Sequence, residues 1–213
     1  MNKIKYIYIL IFVLIINTNE SFGQLSGYGF YKIITIQNSQ VVGSVSHADF
    51  PVLISHIDAD IRSTGNGGMV ENVNGYDIRF TAADGITLLD HQLEDYDPAT
   101  GSITSWIRIP SLNFSTNTVV RMYYGNSSVS INSSVPTVWD INYKGVWHLN
   151  NDNFDGTSNT NDLVATGTIN APSAAVSGGQ SFTFNEKLNG GVQSELQIQG
   201  DLTIESWVNF NTL

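Results

Sequence analysis

The sequence predicts an all-β protein in which a β-sandwich module is followed by a second β-rich module. Short segments alternate between apolar and polar residues with the period of two that is typical of half-buried strands, as in residues 76–81 and 102–109. Clusters of Gly, Asn, Asp, Ser and Pro separate the segments at roughly the 8 to 12 residues of sandwich proteins. No stretch has the periodicity of a helix bundle or a βαβ unit, so a sandwich is the fold we expect.

The first 23 residues have the features of a secretory signal peptide. Lys3 and Lys5 precede the apolar residues 7–16, a run too short to cross a bilayer, since a spanning helix needs roughly 20 residues. We expect cleavage after Gly23. The sequence therefore predicts a secreted or cell-surface protein that has no membrane-spanning segment once the signal is removed.

The mature chain is acidic and contains no cysteine. Residues 1–23 hold two lysines and one glutamate, which leaves 7 basic and 18 acidic side chains and a net charge of −11. Such a charge repels phosphate backbones, so nucleic acid is excluded as a partner. The lack of cysteine excludes disulfides, zinc–thiolate sites and cysteine nucleophiles.

The first module, residues 24–126, begins with strands predicted at residues 28–36 and 51–55. Asp58 is expected to cap one helical turn, because its carboxylate can accept from the unpaired amides of that turn. The glycine-rich residues 64–74 are expected to form a mobile surface loop.

A hairpin is predicted next, from residues 76–81 and 87–96 with a turn at residues 83–85. Strict alternation in the first of these strands directs Ile78 and Phe80 to the core and Asp77 to the solvent.

The strand predicted at residues 102–109 has one apolar face and one mixed face. Ile103, Ser105, Ile107 and Ile109 share the first face, and Thr104, Trp106 and Arg108 share the second. Pro110 is expected to end this strand, and residues 119–124 form the last strand of the module.

Residues 127–138, rich in Ser, Asn and Val, are predicted to be a linker, and residues 139–213 a second module. Strands are predicted there at residues 145–149, 180–184, 192–198 and 202–210. The last of them has nothing after it to pair its edge or to cover its apolar face, so we expect this module to be truncated.

Residues 28–126 resemble the bacterial and archaeal family catalogued as domain of unknown function 2341. The resemblance is carried by six ordered blocks, at residues 31–36 (YKIITI), 49–54 (DFPVLI), 76–81 (YDIRFT), 84–85 (DG), 106–110 (WIRIP) and 123–126 (YYGN). The family's activity is unknown, so this resemblance implies a fold and no reaction.

Residues 139–213 resemble the N-terminal half of a laminin-G-like, concanavalin A-like jelly roll. The blocks that carry this resemblance lie at residues 145–149 (GVWHL), 178–185 (GGQSFTFN) and 202–208 (LTIESWV). The fold class is then a β-sandwich followed by a partial jelly roll. The resemblance implies adhesion or glycan binding by a large secreted or surface-attached protein.

Trp106 and Arg108 are the candidate ligand-binding residues of the first module. Glycan binding needs flat aromatic faces for the C–H surfaces of sugars and fixed polar groups for their hydroxyls, and both lie on one mixed strand face here. The alternative is that Trp106 packs under a loop. Trp147 and Trp207 lie in apolar blocks that predict core positions, and Trp139 is expected to pack at the module junction.

Calcium is the one candidate cofactor. Asp155, Asn159 and Asn161 place side-chain oxygens at alternate positions of a loop, a spacing by which a loop can wrap Ca²⁺. The EF-hand pattern fails, because its twelfth position is Thr166 and not glutamate. The alternative is that these residues serve turn geometry alone.

Together these features predict a non-catalytic binding or adhesion module whose partner is a polysaccharide or a surface protein. Catalytic residues are not expected: a glycan hydrolase needs two carboxylates that flank the scissile bond, and the alternating acid motif Glu-x-Asp-x-x-Glu is absent. Two alternatives stay open, an accessory part of a larger secreted glycan hydrolase and a structural spacer.

Overall fold

The computed structural model describes residues 24–150, 152–167, 170–171, 174 and 176–209, and the predicted signal peptide lies outside them. The chain divides into two compact units, residues 1–138 and 139–213. The described part of the first unit contains six strands: β1 (Phe30–Ile36), β2 (His47–Ile57), β3 (Arg79–Ala82), β4 (His91–Asp97), β5 (Ser102–Leu112) and β6 (Thr118–Tyr124). Its helical segments are single 3-10 turns, at Asn38–Gln40, Ala59–Ile61, Thr64–Asn66 and Pro136–Val138.

The six strands form two antiparallel sheets, with the strand orders β1-β6-β3 and β2-β5-β4. The predicted all-β, sandwich class is confirmed. One cluster of apolar side chains draws from both sheets, and its members on the strands include Ile34, Ile36, Val52, Ile54, Phe80, Ile103, Ile107, Val120 and Met122. Removing such side chains from water stabilises the fold by about 1.5–3 kcal/mol each.

The two strands of the predicted hairpin belong to different sheets, since β3 pairs with β6 and β4 pairs with β5. The prediction that residues 76–81 pair with residues 87–96 was therefore wrong. Only a short hairpin forms, in which the backbone N–H of Leu89 donates to Phe80 at 2.9 Å and Ala82 donates to Thr87 at 2.9 Å. The turn is as predicted, with Gly85 at φ 76. The chain then crosses to the second sheet, because Leu89 is buried in the core between the sheets.

Two other strand boundaries differ from prediction. β2 is longer than residues 51–55, and β5 continues through Pro110 to Leu112. Proline is tolerated at this position for two reasons. Its ring is exposed to solvent, and the pairing of β2 with β5 skips Asp49 and Pro110, so no ladder hydrogen bond needs the N–H that proline lacks. Asp58 caps its 3-10 turn as predicted, accepting from the N–H of Asp60 at 2.8 Å.

The glycine-rich loop lies at the surface, with most of residues 64–74 exposed, and part of it folds back onto the chain before it. Ser63 and Val70 form a parallel bridge, and Val70 is fully buried. A Cβ atom on Gly68 would lie 2.1 Å from the carbonyl oxygen of Arg62, so only glycine fits this close approach.

Asp77 is fully buried, which corrects its predicted place on the solvent face. Its Oδ2 accepts from the backbone N–H groups of Glu71, Gly125 and Asn126 at 2.9, 3.0 and 3.2 Å, and its Oδ1 accepts from Asn72 at 3.0 Å. The residue lies just before β3, where the pleat no longer dictates its direction. One carboxyl group thus ties the glycine-rich segment to the end of β6.

The second half of the predicted linker packs against the edge of β4. Val135 donates its N–H to the carbonyl of His91 at 3.0 Å, and the Oγ of Ser134 accepts from the N–H of Leu93 at 2.9 Å. The hydroxyl of Ser133 lies 3.1 Å from Nε2 of His91. These bonds cover an edge strand that would otherwise expose unpaired backbone groups.

The second unit contains four short strands, β7 (Val164–Thr166), β8 (Asn170–Ala171), β9 (Gly179–Gln180) and β10 (Lys187–Asn189), and a 3-10 turn at Ser194–Leu196. β7 pairs with β10 and β8 pairs with β9. The predictions of strands at residues 192–198 and 202–210 are wrong. Residues 192–198 contain the 3-10 turn and no strand, and residues 201–209 have no regular structure. A strand needs a neighbour for its backbone, and no described segment pairs with these residues.

We expect Asp77→Ala to lower the free energy of unfolding by at least about 2 kcal/mol, since it leaves four backbone N–H donors without their acceptor at once. Urea unfolding followed by circular dichroism measures this. Asp84→Ala is the matched control: its carboxylate also accepts from two backbone N–H groups, but it is exposed, so water can replace it. Equal losses in the two variants would contradict the buried role of Asp77.

His91 should make the fold sensitive to mild acid. Burial, aided by the charge of Arg79 and opposed by a hydrogen bond with Leu89 and the charge of Asp90, lowers the pKa of His91 to about 4. A histidine whose folded-state pKa is depressed contributes its full stability above the unfolded value of 6.5 and loses it as the pH falls towards 4. The expected loss is about 3 kcal/mol across that window.

The measurement is the free energy of unfolding between pH 7 and pH 4 for the natural chain and for His91→Gln, which cannot become charged. We expect a flatter profile for the variant. Identical slopes in the two proteins would show that His91 is not the titrating group.

Candidate functional site

Trp106 and Arg108 lie on the outer face of the second sheet, on the side of β5 predicted for them. Ile103, Ser105 and Ile107 of the same strand are fully buried on the opposite face. Because side chains alternate along a strand, burying these three directs Trp106 and Arg108 away from the core.

Trp106 is partly exposed and is held in position by a hydrogen bond. Its indole Nε1–H donates to Oε2 of Glu94 at 2.7 Å. The strand register places Leu53 of β2 and Gln92 of β4 on either side of it. The register of β4 shifts at Glu94, and an irregularity of this kind redirects a side chain, here towards the indole.

Arg108 is fixed by two neighbours. Its Nη1 donates to the carbonyl of Thr137 at 2.8 Å, and its Nε lies 3.2 Å from Oδ1 of Asp49. Asp49 has φ 51, in the left-handed region that non-glycine residues rarely adopt. Strain of this kind persists where the surroundings hold a residue in place, and here it brings a carboxylate to the guanidinium.

A cleft of about 300 Å³ opens at Arg108. Its lining combines charged and apolar groups, from Asp49, Leu88, Leu89, Asp90, Arg108 and Pro110. Leu88 is 60% exposed at its rim. Thr137 donates its hydroxyl to Asp90 at 2.8 Å, so the segment that covers the edge of β4 also shapes this cleft.

This arrangement offers an aromatic plate beside fixed hydrogen-bonding groups. A sugar ring presents an apolar C–H surface and a rim of hydroxyls. The indole of Trp106 is complementary to the C–H surface, and the polar groups of Glu94 and the Arg108 cleft are complementary to the hydroxyls. The carboxylates of Glu94 and Asp49 are already engaged, one with the indole N–H and the other with the guanidinium.

Asp155 organises a loop and does not face outward as a calcium ligand. Its Oδ1 accepts from the backbone N–H groups of Val146 and Thr157 at 3.0 and 2.9 Å. Its Oδ2 accepts from the hydroxyl of Thr157 and the N–H of Asn161, both at 2.9 Å. A carboxylate has about four lone-pair positions, and four donors occupy them here.

The other two predicted calcium ligands also make structural contacts. Asn161 donates its side-chain amide to the carbonyl of Lys144 at 2.8 Å, and Asn159 donates to the carbonyl of Tyr143 at 3.0 Å. Within the described residues, no three side chains of His, Asp or Glu are grouped so that they could hold a metal ion. The geometry therefore supports the turn role of this loop, and the calcium prediction gains nothing from it.

The remaining tryptophans differ in their surroundings. Trp147 is partly exposed and donates its Nε1–H to the carbonyl of Asn161 at 2.8 Å. Trp207 is 74% exposed, so its predicted core position is wrong. Trp139 is buried, with its ring 5.1 Å from that of Tyr143 and 6.1 Å from that of His148.

Sequence reasoning missed a buried lysine. Lys32 is 3% exposed, and its Nζ lies 2.8 Å from a carboxylate oxygen of each of Asp58 and Asp60. Burial opposes its charge, yet the hydrogen bonds that Nζ donates to both carboxylates outweigh burial and hold the pKa of Lys32 above its ordinary value. Burial of the neighbouring Tyr124, whose charged form is the anion, raises its pKa to about 12. The signal was in the pattern, since Lys32 has the same parity as the core residues Ile34 and Ile36.

Comparison with known proteins supports one of the two resemblances. The family model for a domain of unknown function (DUF2341) matches residues 74–166. This match begins at the segment before β3 and includes Trp106, Arg108 and the loop of Asp155. No curated protein and no solved structure matches the chain.

The match differs in extent from the resemblance at residues 28–126, because it starts later and continues into the second unit. The laminin-G-like resemblance of residues 139–213 stays a prediction. None of the helical turns in the described part of the chain has the length and apolarity to cross a bilayer.

Proposed function

We propose that the chain is a non-catalytic carbohydrate-binding module of a secreted or cell-surface protein, and that its ligand lies across the outer face of the second sheet. The observation that carries this proposal is Trp106. This partly exposed tryptophan lies on the central strand of its sheet, and Glu94 fixes its orientation. Fixing the ring before binding lowers the entropy that a ligand must offset.

The surroundings of Trp106 support a sugar polymer as the ligand. A sheet face is flat and extended, and the Arg108 cleft lies two residues further along the same strand. One sugar ring over the indole and a neighbouring ring in the cleft would use both features. The laminin-G-like character proposed for residues 139–213 agrees with such a role.

We expect Trp106→Ala to weaken binding of the chain, residues 24–213, to its preferred glycan by about thirtyfold or more. A buried aromatic anchor of an interface contributes 2 kcal/mol or more, which corresponds to that factor. A glycan array identifies the ligand, and titration calorimetry measures the affinities of the natural chain and the variant.

Trp207→Ala is the matched control, because Trp207 is exposed in the second unit and lies outside the proposed site. It should leave the affinity unchanged. The proposal fails if no glycan is bound, or if the two variants lose affinity equally. Turnover of a bound glycan would contradict the non-catalytic part of the proposal.

A further inference from the structure

The outer face of the first sheet has its own set of aromatic and basic side chains. The register aligns Tyr31 of β1, Tyr123 of β6 and Arg79 of β3 in one row across the sheet, and Arg121 lies two residues from Tyr123 on the same face. These four residues are called the arginine face below. Tyr123 is fully buried beneath its neighbours, and the other three are partly exposed.

The members of the arginine face hold one another in place. The guanidinium carbon of Arg121 lies 5.3 Å from the centre of the Tyr31 ring, and the rings of Tyr31 and Tyr123 are 5.4 Å apart. Arg79 donates its Nη1 to the carbonyl of Ile78 at 3.1 Å. A guanidinium that stacks on a ring uses its face for that contact, and its N–H donors lie in its plane, in the geometry that matches a carboxylate.

A cleft of about 460 Å³ adjoins this face. Tyr28 belongs to both, since it lines the cleft and its ring meets Tyr123 edge-on with the ring centres 6.1 Å apart. The rest of the lining is small or polar, from Gln24, Leu25, Ser26, Gly27, Gly29 and Gly125. Backbone groups next to glycine are accessible to a polar ligand, because no side chain shields them.

Two arginines lie together on this face of an acidic protein, whose formal net charge is −10. The exposed Asp84 interacts with Arg121. Asp77 acts on Tyr28 together with Arg79, but it is fully buried and bonded to four backbone N–H groups. Distant carboxylates repel an anion only weakly at physiological salt, where the Debye length is about 8 Å. The arginines therefore determine which charge is attracted to this face.

We propose that the arginine face and its cleft form a second glycan site, selective for a carboxylate-bearing polysaccharide, a chain of uronic acids. The two guanidinium groups bind carboxylates, and the partly exposed Tyr31 and the cleft receive the sugar rings, a part of the ligand that an acidic peptide lacks. This site is on the opposite sheet from Trp106 and does not depend on that site.

The test uses three probes on the chain of residues 24–213: a galacturonic acid trimer, its methyl ester, and a short polyglutamate peptide. The ester keeps the sugar and removes the charge, whereas the peptide keeps the charge and removes the sugar. Calorimetry should show binding of the trimer. The ester should bind about tenfold or more weakly, since hydrogen bonds to a charged group are worth at least that factor. The peptide should also bind more weakly than the trimer, because it has no sugar rings to contact Tyr31 and the cleft.

Arg121→Gln should weaken trimer binding by about tenfold. Lys187→Gln, which also removes one positive charge but from an exposed position in the second unit, should leave it unaltered. Circular dichroism checks that both variants fold. If Arg121→Gln does not fold, amide chemical shifts of the natural chain during titration replace it, and the largest shifts should come from residues of the arginine face and its cleft.

Three outcomes overturn the inference: no binding of the trimer, equal binding of the trimer and its ester, or unchanged affinity in Arg121→Gln. Equal binding of polyglutamate would reassign the face to acidic peptides. None of these results alters the expectation for Trp106→Ala, so the two glycan sites are tested separately.

Discussion

The alternation of side chains along β5 is the constraint on which the first unit depends. β5 pairs with a strand on each side, and its residues Ile103, Ile107 and Ile109 lie in the core shared by the two sheets. A register shift of one residue would expose them and bury Trp106 and Arg108, at a cost of several kcal/mol. The residues that stabilise the sandwich therefore also fix the proposed binding face.

Buried polar groups and protected edges complete the unit. Lys32 points inward from β1 to two carboxylates, and Asp77 accepts from two backbone N–H groups of the glycine-rich segment and two just after β6. An inward charge on β1 and Pro51 in β2 both disfavour pairing with a foreign strand, while residues 133–137 cover β4. These features protect the edges, and the proposed binding sites lie on the faces of the sheets.

The sequence predicted the features that depend on local periodicity. It did not predict the features that depend on contacts with residues far along the chain. The faces of β5, the Asp58 cap and the turn at Gly85 all follow from residues close in the chain. The burial of Asp77 depends on amides at residues 125–126, and no local pattern shows that. The strand predicted at residues 202–210 had the right alternation, but a strand also needs a partner, and no described segment pairs with residues 202–209.

The central claim is that a glycan lies on Trp106, and fluorescence quenching tests it most directly. Replacing Trp139, Trp147 and Trp207 with phenylalanine leaves Trp106 as the single tryptophan of a chain that has four, so selective excitation of tryptophan reports on Trp106. Acrylamide should quench its emission, and the oligosaccharide selected on the array should protect it from quenching. Emission that acrylamide cannot reach, or quenching that a saturating glycan leaves unchanged, would contradict the account.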